Sequence, residues 1–576
     1  MDNQLPENST NAQATEPNSE QKAETYTSEV TDSNSAEKTA PGGELSPQPA
    51  QPSLAADPTL GSVGPVNSSP KRGKSVGALI VVLILIIIAG TSSYYYLKSK
   101  KNSLGTTQAA SKPIQVLRIA IQGPFNLFYP NNDGFIGDTE TQFDLTDALV
   151  RFENVTQLSP QLAVSWENPD SSTWIFHLRK NVLFHTGRVM SSADVKYSLL
   201  AVASLNLGQF TSSIKDIETP DPLTVKITTN GPDPVLLNQL SQLSIIDSQD
   251  KTSADPNAGT GPYMLKPGTT PTENGIDLVA FDKYWGGKPL TRELIYTNYL
   301  RTEDPKVLLA SGKEDFVGDI NIPFLPGVRA AGYSVYKPEG DSVRALWFNV
   351  LDKNSPTSSL LVRQAVEEAV NQQGMITASQ VDATPATQMV PEIVPGFNPS
   401  ITFPARNIQK AKQLLVQAGY PNGVTLSFTY LAPDNPGVGE ELVKELAPAG
   451  ITVKLDPQTQ IAAIGQKVST GKAEMWWEAE NSSILDLSDV VTSTLYKSVT
   501  YDNPTLDSLT DQAAATFDSS TRLKILQNLS ATIATDIPAV PMNVAAYNYV
   551  YRSTLKGISQ YDVDNTPGIH WWQVHE

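Results

Sequence analysis

Three segments between residues 160 and 199 decide the fold: Pro160-Gln-Leu-Ala-Val-Ser-Trp-Glu167, Trp174-Ile-Phe-His-Leu-Arg-Lys-Asn-Val-Leu-Phe-His-Thr-Gly187 and Ser192-Ala-Asp-Val-Lys-Tyr-Ser-Leu199. The third segment predicts the start of a helix. Ser191 or Ser192 can cap N–H groups that have no partner in the first turn, and Asp194 lies favourably at the positive end of the helix dipole.

The sequence on either side of these segments alternates between two periodicities. Residues 114–121 and 223–228 are strand-like, whereas residues 360–373 and 408–418 have helical spacing of apolar residues. Interleaved strands and helices predict the α/β class. We find no repeat of about 20 to 50 residues, which excludes a solenoid.

Two glycine-containing segments predict turns in this scaffold. In Gly259-Thr-Gly-Pro-Tyr263, two glycines can supply positive φ before a strand, and the proline fixes the next turn. In Gly419-Tyr-Pro-Asn-Gly423, the first glycine is expected just beyond the end of a helix that the proline cannot continue.

Composition excludes several classes of protein. The 576 residues include no cysteine, so there is no disulfide framework, cysteine-ligated zinc or iron–sulfur site, thiol nucleophile or lipid-modified cysteine. The formal net charge of −18 argues against nucleic acid as a partner, because phosphate binding needs a basic surface. The length predicts several domains, and 40% hydrophobic residues suffice for their cores.

The first 112 residues differ from the rest of the chain. Residues 1–74 are polar, with ten acidic residues in the first 70, and are expected to be a disordered acidic tail. Residues 75–97 carry no charge and span about 34 Å as a helix, enough to cross a bilayer. We therefore predict an uncleaved transmembrane signal anchor, followed by a linker over residues 98–112.

The ordered set of motifs resembles the signature of family 5 solute-binding proteins, the extracytoplasmic receptors of peptide, nickel and related ABC importers. The resemblance begins with the three segments quoted first and covers about residues 117 to 557. Further matching blocks are Gly259-Thr-Gly-Pro-Tyr263, Tyr284-Trp-Gly-Gly287, Leu309-Ala-Ser-Gly-Lys-Glu-Asp315, Phe348-Asn349, Val362-Arg-Gln-Ala365, Ala411 to Gly423, Tyr501-Asp-Asn-Pro504 and Ile537-Pro-Ala-Val-Pro541.

This resemblance implies a two-lobed periplasmic-binding-protein fold of type II with an extra small domain, over residues 113–576. Lobe I is expected at about 113–155, 225–298 and 549–576, the small domain at about 156–224, and lobe II at about 299–548. The ligand would be enclosed when the lobes close about a hinge.

The resemblance also implies a function and a topology. The charges flanking the predicted anchor do not decide its orientation, since three basic residues lie on each side. A substrate-binding receptor must sample the outside, so the tail is expected in the cytoplasm and the globular part outside a cell membrane that the chain crosses once. The expected partners are a peptide or another small solute and the permease subunits of an ABC transporter. The chain is expected to be a monomer.

The resemblance further implies where a ligand is held. Peptide-binding members carry a Trp-x-Ala-Asp segment whose aspartate contacts the ligand's α-ammonium group, and the matching stretch here is Trp477-Glu-Ala-Glu480. Glu480 is therefore the leading candidate anchor, although glutamate replaces aspartate and the Asp-Pro that usually follows is absent. Glu478 and Asn481 flank it as further candidates. The alternative is that Glu478 and Glu480 line a solvated strand face.

Two more residues are candidates for the same cleft. Trp477 matches a position that lines a side-chain pocket in peptide-binding relatives, with core packing as the alternative. Asn349 can face the cleft and offer both a donor and an acceptor, with a structural role as the alternative.

Other functions remain open alternatives. We find no catalytic constellation. The segment Gly73-Lys-Ser-Val-Gly77 matches the nucleophile-elbow pattern of hydrolases, but it lies at the membrane boundary with no strand before it, so we treat the match as chance. No cofactor and no metal site are expected, because the four histidines form no His-x-x-x-His pair. A receptor for nickel, haem, a metal chelate or another small solute remains possible, as does a sensor or adhesion module.

Overall fold

The computed structural model describes residues 112–121, 144–154, 157–203, 211–249, 259–272, 274–299, 303–338, 340, 342–433, 435, 437–481, 484, 486–492, 500–558 and 569–576. The predicted tail and the predicted anchor lie outside these residues. Within the described part of the chain, no helix is long and apolar enough to cross a membrane.

The described strands and helices alternate along the chain, as the α/β class requires. The strands are β1 (Leu117–Ile121), β2 (Val150–Asn154), β3 (Gln157–Pro160), β4 (Ala163–Asp170), β5 (Thr173–Leu178), β6 (Ile214–Asp221), β7 (Thr224–Thr229), β8 (Tyr263–Leu265), β9 (Gly275–Ala280), β10 (Glu293–Asn298), β11 (Phe316–Val317), β12 (Ser334–Tyr336), β13 (Ser342–Phe348), β14 (Asp382–Pro385), β15 (Val424–Leu431), β16 (Ile451–Gln458), β17 (Met475–Asn481), β18 (Ala539–Ala546) and β19 (Tyr549–Tyr551). The helices are α1 (Ser192–Ala203), α2 (Leu236–Ser241), α3 (Pro305–Ala310), α4 (Leu325–Ala330), α5 (Leu360–Ala369), α6 (Gln372–Ser379), α7 (Ile408–Gln417), α8 (Val438–Leu446), α9 (Ile461–Ser469), α10 (Leu487–Val490), α11 (Pro504–Ala514) and α12 (Ser519–Asp536).

Lobe I is built on a mixed sheet with the strand order β12-β19-β11-β1-β10-β9-β8. Its central strand β1 is parallel to both of its neighbours, β10 and β11. Four of the five β1 residues are buried, as expected for a strand covered on both faces. The C-terminal strand β19 returns to this sheet, so both ends of the described chain contribute to lobe I.

The small domain is an antiparallel sheet with the order β4-β5-β7-β6. Along β5 and β7 the residues alternate between half-buried and buried, because one face of the sheet packs on a core and the other faces solvent. Helix α1 covers the buried face through Val195, Leu199 and Val202. The expected helix at Ser192 is confirmed.

Lobe II is a three-layer unit around a sheet with the order β14-β18-β13-β17-β15-β16. One face packs against α5, α6, α7 and α8, and the other against α9, α10, α11 and α12. Helix α5 buries Val362, Ala365, Val366 and Ala369, the spacing of a single helical stripe.

Strand pairing corrects two of the expected domain boundaries. Strands β11 and β12 pair with β19 in the lobe I sheet, so the expected start of lobe II at residue 299 is wrong, and its sheet begins at Ser342. Strand β7 pairs with β5 and β6, so the expected return to lobe I at residue 225 is also wrong. The first error arises because β19 is distant in sequence from β11 and β12.

The glycines before β8 have a different role from the predicted one. Neither Gly259 nor Gly261 has positive φ. A Cβ on Gly259 would lie 1.9 Å from the carbonyl oxygen of Leu145, and one on Gly261 would lie 2.4 Å from that of Asp144. These glycines therefore allow two backbones to approach closely. Gly419, by contrast, has the predicted positive φ of +92° after α7.

Candidate ligand-binding site

Lys337, Pro338 and Gly340, between β12 and β13, and residues 547–548, between β18 and β19, connect lobe I with lobe II. Asp382 of β14 holds both segments, accepting hydrogen bonds from Lys337 Nζ at 2.7 Å and Asn548 Nδ2 at 3.3 Å. A Cβ on Gly340 would lie 1.9 Å from the carbonyl oxygen of Ala545, so the segments pass in close contact. We call them the hinge. The adjoining ends of β13, β17 and β18 therefore lie next to lobe I.

Strand β17 ends at the hinge, and one of its edges is paired with another strand only at its first two residues. Along its whole length, from Met475 to Asn481, it pairs with β13. On the other side, β15 pairs only with Met475 and Trp476. From Trp477 onward, no strand among the described residues pairs with that edge. Backbone N–H and C=O groups on such an edge can bind an extended chain.

The residues of β17 alternate between the two faces of the lobe II sheet. Trp477 lies on the face covered by α5 to α8, is 4% exposed, and donates from Nε1 to Asn435 Oδ1 at 3.2 Å. This burial favours core packing, the alternative that the sequence left open. Its predicted contact with a ligand stays a prediction.

Glu478 and Glu480 lie on the opposite face, together with Trp476. Both glutamates are half-buried. Burial raises the pKa of Glu478, and the hydrogen bond that Trp476 Nε1 donates to its Oε2 at 3.1 Å partly opposes this rise. Burial makes the charged form of Glu478 costly, and the Trp476 donor offsets part of that cost.

Asn349 and Asn481 lie at opposite ends of this part of the sheet. Asn349, only 2% exposed, follows the end of β13 that is remote from the hinge. Its Nδ2 donates to the carbonyl oxygen of Gly471 at 3.0 Å, and its Oδ1 accepts from the backbone N–H of Asp352 at 3.1 Å. These bonds favour a structural role. Asn481 ends β17 opposite Ser342, and its side chain lies outside the described residues.

The loop after β17 contacts both the small domain and lobe II. Ile484 is buried among the core residues of the small domain, and its carbonyl oxygen accepts from Asn238 Nδ2 at 2.8 Å. Asp486 accepts two hydrogen bonds from the guanidinium group of Arg522 on α12. The residues that follow β17 are thus held by contacts with both the small domain and α12.

Sequence reasoning missed a polar group on the face that carries Trp477. Ser342 and Arg344 lie on β13, and Asn543 lies on β18 directly opposite Arg344. The available signal was a charged residue inside the otherwise apolar segment Val343-Arg-Ala-Leu-Trp-Phe348.

Two cavities lie elsewhere on lobe II. One of about 660 Å³ adjoins the hinge and is lined in part by Lys337, Thr384 and Val544. The other, of about 270 Å³, is lined in part by Glu367 and Lys410. Neither includes a residue of β17, so both are separate from the candidate strand. Across the described ranges, no group of three or more His, Cys, Asp or Glu side chains is arranged to hold a metal ion.

Comparison with protein families gives one match over most of the globular part. The model of the bacterial extracellular solute-binding proteins, family 5 Middle, matches residues 157–502. The matched region contains the small domain, β13, β17 and most of the helices of lobe II.

Individual relatives are distant but cover most of the chain. Heme-binding protein A of Haemophilus influenzae is 25% identical over 448 residues, covering 68% of this chain and 80% of that protein. The glutathione-binding protein GsiB of Salmonella paratyphi A is 26% identical over 429 residues, covering 67% and 80%. The periplasmic binding protein DppA of Helicobacter pylori, solved in complex with the peptide STSA, superposes with a TM-score of 0.70 at 23% identity, covering 82% of this chain and 99% of that chain. The last similarity supports the α/β periplasmic-binding-protein fold.

Proposed function

Because the chain belongs to the family 5 bacterial extracellular solute-binding proteins, the non-enzymatic solute receptors of ABC importers, we propose that it captures short peptides between its lobes and delivers them to the permease. The motifs that first suggested this family run in the expected order, and the family model covers more than half of the chain.

One observation supports peptides as the solute: the unpaired edge of β17 beyond Trp476. An extended peptide can add to this edge through main-chain hydrogen bonds, which are available to every peptide whatever its side chains. Glu480 lies on this stretch and can pair with the peptide's α-ammonium group. A rigid, hydrogen-bonding ligand without a peptide backbone would gain less from such an edge.

The choice of solute can be tested by equilibrium dialysis of the full-length protein in detergent. We would compare a set of di- to pentapeptides, haem, and a nickel–histidine complex. Retention of peptides with little retention of the other two probes is expected. Retention of haem or of the nickel complex in preference to peptides would contradict the proposal and favour the alternative receptor.

We also propose that residues 75–97 anchor the receptor in the cell membrane, with the N-terminal tail in the cytoplasm and the globular part outside. The uncharged length of this stretch and the absence of cysteine for lipid attachment support a helical anchor. Protease added to intact cells should digest the globular part and leave the tail with the membrane. Digestion of the tail alone would contradict this topology.

A further inference from the structure

Three polar side chains form a group at the hinge end of the lobe II sheet. Ser342 and Arg344 are two residues apart on β13, so they share a face. Asn543 lies opposite Arg344 on β18, and directly opposed side chains begin about 4.5–5.5 Å apart. Ser342 and Asn543 are 1% and 0% exposed, and Arg344 is half-buried. We call these residues the β13–β18 polar group.

Several atoms of this group lack protein partners. Among the described residues, nothing hydrogen-bonds to Ser342 Oγ, Arg344 Nη1, or the Nδ2 and Oδ1 of Asn543, although all four atoms are buried. Arg344 also takes part in none of the arginine ion pairs found within the described ranges. A guanidinium group is charged at all physiological pH values, so burial without a partner is costly.

Other buried arginines of lobe II differ in this respect. Arg363 donates to four backbone carbonyl oxygens at 2.6–3.1 Å. Arg522 donates to both carboxylate oxygens of Asp486 at 2.5 and 3.0 Å. These two guanidinium groups are satisfied within the fold and have structural roles. Among the described residues, Arg344 lacks the structural partners that Arg363 and Arg522 have.

We propose that the β13–β18 polar group is a subsite for a carboxylate of the ligand. The inference rests on the proposed function, because it names the class of peptide that the same cleft accepts. The guanidinium, amide and hydroxyl groups all donate hydrogen bonds, and a carboxylate can accept from several donors at once. The positions paired with Arg344 and Ser342 on the neighbouring strands include Ala479 and Ala545, whose side chains are single methyl groups.

The subsite and Glu480 together define a zwitterionic ligand. Arg344 lies opposite Ala479, the residue before Glu480, so the anion-binding and cation-binding side chains leave the sheet at neighbouring positions. They point to opposite faces, and a ligand that lies along the hinge end of the sheet can contact both. The ligand class is therefore short peptides that carry a free amine and a carboxylate, either at the C-terminus or on an acidic side chain.

The test uses full-length protein in detergent and three sets of tripeptides: with a free C-terminus, with an amidated C-terminus, and amidated but containing glutamate. The variants are Arg344→Gln, Asn543→Ala and, as a control, exposed Arg329→Gln on α4. We expect the wild type and Arg329→Gln to bind one or both carboxylate-bearing sets about tenfold or more tightly than the amidated set. Arg344→Gln should lose this preference, and Asn543→Ala should reduce it.

A second measurement separates binding from folding. After ligand is stripped by partial unfolding and refolding, Arg344→Gln should melt at the same temperature as the wild type or higher, because it removes a half-buried charge whose Nη1 has no hydrogen-bond partner among the described residues. A lower melting temperature would assign Arg344 a structural role and overturn the inference. Equal binding of carboxylate and amide sets by the wild type would also overturn it while leaving peptide capture intact. If the wild type binds no peptide, the proposed function fails, and the inference that rests on it fails as well.

Discussion

Glu480 lies one residue before the end of β17, half-buried and on the strand whose other edge is unpaired beyond Trp476. The family motif identified this position, and strand alternation separates it from Trp477. Sequence alone could not determine which of the two faces the cleft. That choice depends on the helices packed over each face, which come from distant parts of the chain.

Substituting Glu480 with glutamine should weaken the binding of free-amine peptides. Closure removes water from the ligand's ammonium group, so losing its carboxylate partner should cost at least about 2 kcal/mol of binding free energy. N-acetylated peptides should bind the wild type weakly and be unaffected by the substitution. Calorimetry with both peptide forms measures the difference, with exposed Glu392→Gln as the control. Unchanged affinity for free-amine peptides would mean that Glu480 lines a solvated strand face and does not contact the ligand.

The β13–β18 polar group shows, for single residues, what the sequence alone could not predict. Arg344 was not predicted as a site residue, because a single charge in a strand is compatible with an internal salt bridge. Only the fold shows that Asn543, about 200 positions later in the chain, lies opposite it. Unsatisfied buried polar groups become visible only when all neighbouring partners have been accounted for.

At the scale of elements, most predicted strands and helices are confirmed with small shifts of their ends. The helix expected over 408–418 is α7, and the strand expected over 223–228 is β7. The helix expected over 360–373 divides into α5 and α6. Val370 adopts an extended conformation at the break, with φ −74° and ψ 148°. The expected helix included Asn371, Gln372 and Gln373, and these polar residues do not by themselves mark the end of a helix.

Helix α5 contains a carboxyl group that should make stability depend on pH. Burial, together with the adjacent Glu368, raises the pKa of Glu367 to about 7 from its usual 4.5. Between these pH values the folded protein holds a proton that the unfolded chain has released, so stability falls as pH rises. Glu367→Gln avoids this loss. Its free energy of unfolding should match the wild type near pH 4 and exceed it by about 1–3 kcal/mol at pH 8.

Urea unfolding of both proteins at the two pH values measures this effect. Exposed Glu440→Gln on α8 serves as the control and should give the same difference from the wild type at both pH values. If the free energy of unfolding of Glu367→Gln exceeded that of the wild type by the same amount at both pH values, the substitution would act through packing.

At the scale of the whole molecule, the two-lobed organisation could be predicted from the ordered motifs, but its boundaries could not. Strand β11 pairs with β1 and β19, and strand β12 pairs with β19. Strand β1 lies far before them in the sequence and β19 lies far after them. A local pattern identifies a strand without identifying its sheet. The hinge, where the chain changes lobes, is therefore defined by strand pairing.

Gly340 in the hinge should not tolerate a side chain. A Cβ would lie 1.9 Å from the carbonyl oxygen of Ala545, so Gly340→Ala must separate the two hinge segments. We expect a loss of about 1–3 kcal/mol in stability and weaker peptide binding through altered closure. Thermal melting and dialysis measure both quantities. Gly327→Ala on α4, with no heavy atom within 4 Å of the added Cβ, is the control and should lower neither stability nor peptide binding. Wild-type behaviour of Gly340→Ala would mean that the segments separate without cost.

The most direct measurement of peptide capture is mass spectrometry of the small molecules released when the full-length protein, purified from its native cells, is denatured. Closed clefts retain their ligands through purification, so the released material reports the natural solute. We predict short peptides with a free N-terminal amine and at least one carboxylate. Release of haem, a metal chelate or another solute without a peptide backbone would contradict the assignment of this protein as a peptide receptor.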